Sequence, residues 1–149
     1  KFLRKRVLKM IEYRHDKEIS DVQLRPLYQA VGWTAYLDQV SDLGQMLAAS
    51  QDVISAWDQD QLVGLVRTVG DGHYVALIQD ILVLPAYQKQ GIGRQLLNRI
   101  QEASQAYRQV FLVTDTTPWN QSVREWYDRR GLVGFAQAEL TGFLANQGD

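Results

Sequence analysis

Hydrophobic spacing changes twice along this chain. Ile11 to Arg14 alternates apolar and polar side chains, as a short strand does. From Ser20 the spacing lengthens. Leu24, Leu27, Tyr28 and Val31 fall on one helical face, with Ser20 and Asp21 as N-cap candidates and Gly32 as the stop. Pro26 lies inside that stretch, so a late start or a kink is expected. Trp33-Thr34-Ala35-Tyr36 reads as an aromatic connector. Ser41 or Asp42 then opens a second helix carrying Leu43, Met46 and Leu47.

The period next shortens to two. Strands are predicted over Val53–Trp57, Leu62–Val69 and Tyr74–Leu84, with a turn at Asp58-Gln59-Asp60-Gln61 and a hairpin signal at Gly70-Asp71-Gly72. Ile92–Tyr107 returns to helical spacing through Leu96, Leu97, Ile100 and Ala103. Val110-Phe111-Leu112-Val113 is wholly apolar and reads as a strand buried on both faces. A last helix is predicted over Asn120–Arg130, with Gly131 at C′, and Phe135–Leu144 reads as one or two further strands. The order implies an α/β (α+β) fold whose sheet begins antiparallel and crosses over through the Ile92 helix. No repeat, linker or low-complexity stretch interrupts it, so residues 10–149 are expected to form one domain.

Composition narrows the chemistry. The 149 residues contain no cysteine, which excludes disulfides, zinc-thiolate sites and a cysteine nucleophile. His15 and His73 lie far apart, against a histidine-rich metal site. A cytoplasmic home is the expectation. The net charge is −1, but Lys1, Arg4, Lys5, Arg6 and Lys9 crowd the first nine residues. Without these five, eleven basic residues face seventeen acidic ones, a net of −6. Such a body is a poor nucleic-acid surface, because phosphates need a basic patch. Residues 1–9 read as a basic leader, native or not, before a domain that begins near Met10. No run of about 18 apolar residues exists, so no bilayer-spanning segment is expected.

The most informative stretch is Asp80-Ile-Leu-Val-Leu-Pro85-Ala-Tyr-Gln88-Lys89-Gln90-Gly91-Ile92-Gly93-Arg94. A buried strand runs into a polar loop with two glycines and straight into a helix. Unpaired amides at a helix start, glycines that admit close approach, and the cations Lys89 and Arg94 together suit a phosphate or pyrophosphate. The spacing fits neither the P-loop nor the G-x-G-x-x-G fingerprint. A glycine-rich turn that merely joins strand to helix meets the same spacing.

Gln88-x-x-Gly91-x-Gly93 after an apolar strand resembles the acyl-CoA signature R/Q-x-x-G-x-G/A of the GNAT superfamily of N-acetyltransferases. Asn120-Gln-Ser-Val-Arg-Glu-Trp-Tyr127-Asp-Arg-Arg-Gly131-Leu132 resembles that family's N-x-x-A-x-x-x-Y-x-x-x-G-F. Val123 replaces the usual small residue, and Leu132 the usual Phe, with Phe135 close behind. The resemblance spans nearly the whole chain past the leader. It implies a mixed, mostly antiparallel sheet flanked by about four helices, splayed between its fourth and fifth strands.

The resemblance also implies roles. Main-chain amides of Gln88, Lys89, Gln90, Gly91, Ile92, Gly93 and Arg94 would hold the CoA diphosphate. Backbone at Leu82 and Val83 would pair with the pantetheine arm and polarise the thioester carbonyl. Asn120 would bond the same arm. Tyr127 matches the general acid for the leaving thiolate, although a core aromatic on this helix would look the same. Asp80 is the first candidate base, directly or through water, and Asp115 the second; a capping carboxylate is an equal reading of Asp80. Tyr28, Trp33 and Tyr36 are candidate walls of the acceptor site, with Trp119 a further one; core packing explains them equally well. The expected activity is acetyl transfer from acetyl-CoA to a primary amine of a small molecule, by direct attack in a ternary complex, with no metal, no nucleic-acid or membrane partner, and a homodimer allowed. A protein or peptide N-acetyltransferase and a non-catalytic acyl-CoA sensor remain open alternatives.

Overall fold

A computed structural model describes residues 10–146, so the basic leader over residues 1–9 lies outside it. The chain packs as two compact units, one ending at Leu112 and one beginning at Val113. In the first, β1 (Glu12–Arg14), β2 (Asp52–Asp58), β3 (Gln61–Gly70), β4 (Val75–Val83) and β5 (Gln109–Leu112) form one sheet in sequence order. Pairing is antiparallel until β5, which runs parallel to β4. The crossover between them is α4 (Ile92–Ala103). The mixed, mostly antiparallel α/β architecture expected from the pattern is present.

Helix α1 (Asp21–Ala30) starts with a capping box. The Gln23 amide donates to Ser20 Oγ at 3.3 Å, and the Ser20 amide donates to Gln23 Oε1 at 3.2 Å. Pro26 neither delays nor ends the helix. The carbonyl deprived of its amide belongs to Val22, an exposed residue where water can satisfy it. Helix α3 (Leu43–Ala48) is capped by Asp42, whose Oδ1 accepts the amides of Gly44 and Gln45 at 2.9 and 3.2 Å.

Three expectations need correction. The aromatic connector is largely helical: α2 (Thr34–Gln39) occupies it. Six residues are too few to show a period, and tertiary contacts hold this turn. β5 is not buried on both faces, since Val110 is 38% exposed. It ends the sheet, with a neighbour on one edge only among the described residues. The strands covered on both faces are β2 and β3, whose interiors are buried throughout. Phe135–Leu144 forms no strand. Its amides close local turns instead, Ala138 to Gly134 and Leu140 to Phe135 at 3.1 and 2.7 Å. Among the described residues of this second unit, the regular elements are a 3₁₀ turn, Pro118–Asn120, and α5 (Gln121–Arg129).

Successive residues of a strand face opposite ways, and β3 uses both. Leu65 joins the cluster of Leu24, Leu27, Tyr28, Leu43 and Leu47 from α1 and α3. Gly64 faces α4. A Cβ there would meet Leu96 Cδ1 at 3.1 Å and Ile92 Cγ2 at 3.2 Å. The bare backbone therefore lets the first turn of α4 lie against β3, which sets where that helix begins. Among the described residues, no helix is long and apolar enough to cross a membrane.

Candidate active site

The sheet opens at β4. Arg67 pairs with Asp80 and Thr68 with Ile78, so Gln79 is left over as a bulge. β4 pairs with β5 over Val75–Ile78 alone. From Gln79 to Val83 it keeps β3 on one side and has no strand on the other among the described residues. Main-chain groups of this segment, Leu82 and Val83 included, therefore border an open strand edge. This is the splay expected between the fourth and fifth strands.

The loop that follows is pinned at its base. The Leu84 amide bonds Val63 O at 2.9 Å. Tyr87 closes a 3₁₀ turn, is buried, and donates its hydroxyl to Asp58 Oδ2 at 2.5 Å. Gln88 Nε2 donates back to Val83 O at 3.1 Å, and Gln90 Nε2 to Ala86 O at 3.4 Å. Lys89 and Gly91 take left-handed conformations, φ +62° and +85°. Tyr87 was invisible as an anchor in the sequence, because its partner lies far away at the end of β2.

Helices α1 and α3 begin with side-chain caps, whereas α4 begins at Gly91 with none. Its first i→i−4 bond is the Gln95 amide to Gly91 O at 3.0 Å. The amides of Ile92, Gly93 and Arg94 precede that bond and have no helical carbonyl to reach. The Gln88 amide differs: it bonds Pro85 O at 3.3 Å. A Cβ on Gly91 would have no heavy atom within 4 Å, so the approach over this turn is clear. Free amides, the exposed side chains of Lys89 and Arg94, and that clear approach suit a diphosphate.

Four of the predicted residues meet beneath the splay. Asp80, 1% exposed, accepts Tyr36 OH on Oδ1 at 2.6 Å and Tyr28 OH on Oδ2 at 2.8 Å. Oδ2 also accepts Nε of Arg67 in a buried ion pair. Tyr28 is fully buried, so it backs the cluster instead of lining a surface. Trp33 is 36% exposed and stacks on Tyr36 at 6.1 Å and 21°. Burial, and then Asp80, push both phenols above the ordinary tyrosine range. Arg67 also donates to Ser50 Oγ at 3.3 Å. Sequence reading passed over Arg67, yet a lone charge inside Leu62–Val69 signals a buried cation in need of a partner.

In the second unit, Asn120 Nδ2 donates to Thr114 Oγ1 at 2.8 Å and to Asp115 O at 2.9 Å, tying the loop before α5. Asp115 accepts both the amide and the hydroxyl of Thr117, which hold its carboxyl below the usual range. Tyr127 packs edge-on against Trp126, with ring centroids 5.3 Å apart, and burial pushes its phenol up to about 12. Trp119 is largely exposed.

The model of the Acetyltransferase (GNAT) family matches residues 16–132. The chain belongs to the GNAT acetyltransferase family. A GNAT family acetyltransferase from Streptococcus pneumoniae shares its fold at a TM-score of 0.77 and 34% identity, over 94% of this chain and all of that one. An acetyltransferase-named protein of Gibberella zeae is 31% identical over 60% of this chain and 52% of its own length. An N-acetyltransferase of the ycf52-like type from Prochlorococcus marinus is 29% identical over 53% of this chain and 45% of its own. The GNAT chain thus spans about half the length of these curated relatives. The family match contains β4, the loop and the start of α4. Among the described residues, no group of three or more His, Asp or Glu side chains is placed to hold a metal ion.

Proposed function

We propose that the protein moves an acetyl group from acetyl-CoA to a primary amine of a small molecule, by direct attack in a ternary complex. One observation carries this reading: α4 starts uncapped at the end of the loop that follows a strand outrunning its β5 partner. The first feature suits a diphosphate, the second an extended arm. Acetyl-CoA supplies an acyl group activated as a thioester. The amides from Lys89 to Arg94 hold the diphosphate, helped by the two cations. Main-chain groups at Leu82 and Val83 hold the arm and polarise the carbonyl, with the Gln88 carboxamide fixing Val83 O. Asn120 serves as a further contact to the arm.

As nitrogen bonds the acyl carbon, the carbon–sulfur bond breaks. Tyr127 donates its proton to the leaving sulfur, and its raised pKa keeps that proton available at neutral pH. Asp80 was the first candidate to take the proton from the amine. With three donors already on its two oxygens, it serves better as a fixed anion, and water takes the proton instead. Trp33 and Tyr36 form the acceptor wall with Tyr28 behind them, and exposed aromatic faces favour a cationic amine.

Thiol release from acetyl-CoA across a panel of amines, with CoA binding followed by thermal shift, tests the reading. Turnover with at least one amine is expected. Binding of CoA with no turnover of any amine would leave a sensor module in its place.

A further inference from the structure

Helix α2 should not stand alone. It has six residues, no side-chain N-cap and no fully buried side chain, and isolated helices below about 12 residues are marginal. Leu37 of α2 and Val40 just after it pack against the core cluster. At its C-terminal end, Arg25 Nη2 donates to Val40 O and Ser41 O at 3.0 Å each. At its inner side stands Tyr36. The Tyr36 ring lies 5.0 Å from that of Tyr28, and its hydroxyl donates to Asp80 while accepting Gln79 Nε2 at 3.1 Å. Tyr36 therefore joins α2 to the buried anion and to the bulge residue of β4 at once.

We propose that the Arg67–Asp80 ion pair is a positioning device: acting through the Tyr36 hydroxyl, it clamps α2 to the β4 bulge and so sets how tightly the acceptor amine is held. Arg67 gives the Asp80 carboxylate a counter-charge in a buried place. The anion accepts the hydrogen bond of the Tyr36 hydroxyl and thereby orients the phenol, whose lone pairs then face Gln79 and, at 3.5 Å, Arg67 Nη2. Trp33 is the exposed member of the wall and stacks on Tyr36, so it follows the phenol's placement. Neither Arg67 nor Asp80 needs to touch the amine.

Tyr28 and Tyr36 each donate one hydrogen bond to Asp80, but only Tyr36 stands on α2 and also accepts from Gln79. The clamp singles out Tyr36. The inference rests on the acetyl-transfer reading, and its test separates the two. Tyr36→Phe and Tyr28→Phe are compared with tyramine as probe amine at saturating acetyl-CoA, and by hydrogen exchange of the amides of residues 34–40. Losing a hydrogen bond to a charged group predicts a KM for tyramine about tenfold higher in Tyr36→Phe, with acetyl-CoA Kd unchanged. Exchange across α2 should quicken in the same variant. In Tyr28→Phe the expected result is a lower Tm, with changes in KM and α2 exchange several-fold smaller. Equal changes in the two variants, or α2 exchange unaltered in Tyr36→Phe, would overturn the clamp. If the wild type acetylates no amine, the enzymatic reading fails while the exchange comparison still decides the clamp.

Discussion

Asp80 Oδ1 and the Tyr36 hydroxyl lie 2.6 Å apart across 44 residues of sequence. The bond ties a six-residue helix to the strand that splays from β5, and it ends on a carboxylate paired with Arg67. Tyr28 adds a second phenol, so three donors meet on the two oxygens of Asp80.

The stability of this pair can be measured apart from activity. Asp80→Asn leaves the Arg67 guanidinium buried without a counter-charge, and breaking such a pair costs about 3–5 kcal/mol. Urea unfolding should show that loss. The double replacement Arg67→Met with Asp80→Leu removes both charges and should recover part of it, the Tyr28 and Tyr36 hydroxyls losing their acceptor. A single variant as stable as the wild type would contradict the burial of the pair.

Tyr127 is the second target. Tyr127→Phe removes only the hydroxyl and should lower kcat by about a hundredfold, within the usual range for a general acid. Acetyl-CoA Kd, read by calorimetry, should stay unchanged. With the phenol pushed up to about 12, the acid remains protonated through the accessible range. The wild-type rate should therefore rise as the amine loses its proton and then level off, with no descending limb below pH 10. A limb centred near 8 would point to a different acid.

Gly91→Val tests the diphosphate cradle. At φ +85° a β-branched residue is strained, at roughly 1–2 kcal/mol. Its side chain also occupies the clear space in front of the amides. Acetyl-CoA affinity should fall at least about tenfold, or about 1.4 kcal/mol. Unchanged affinity would remove this turn from the binding site.

A pH effect belongs to the β3–β4 hairpin. Asp71 Oδ1 accepts the amides of His73, Tyr74 and Val75 at 2.8, 2.8 and 3.2 Å. The Tyr74, His73 and Val75 amides hold its carboxyl at about 2, below the ordinary 3.8. A folded-state pKa below the unfolded one adds stability above pH 4, and that stability fades as pH falls from 4 towards 2. Thermal melts across that window should drop less steeply for Asp71→Ala than for the wild type. Parallel curves would deny the hairpin this role.

Much of the fold was legible because local rules and tertiary packing agree. Ser20 spells the cap of α1, the Leu96–Leu97–Ile100 face spells α4, and period-two runs spell β2 to β4. Gly91 and Gly93 after an apolar strand mark a strand-to-helix loop, and α4 starts there without a side-chain cap. Failures fall where length or neighbours decide. α2 is too short to carry a period. The apolar run of β5 resembles an interior strand, yet it ends the sheet. Phe135–Leu144 alternates, but its backbone closes turns.

By itself, the sequence determined the helix caps, the strand-to-helix loop and the family's two signatures, all of which depend on residues within a turn or two of one another. Tertiary structure alone decided the fate of Asp80. Its partners come from α1, α2 and β3, and spacing cannot report a hydrogen bond that closes across 44 residues. A carboxylate in an apolar run tells of a need for partners; only the packed sheet and helices say how many arrive, and therefore whether it can move a proton or only hold its neighbours in place.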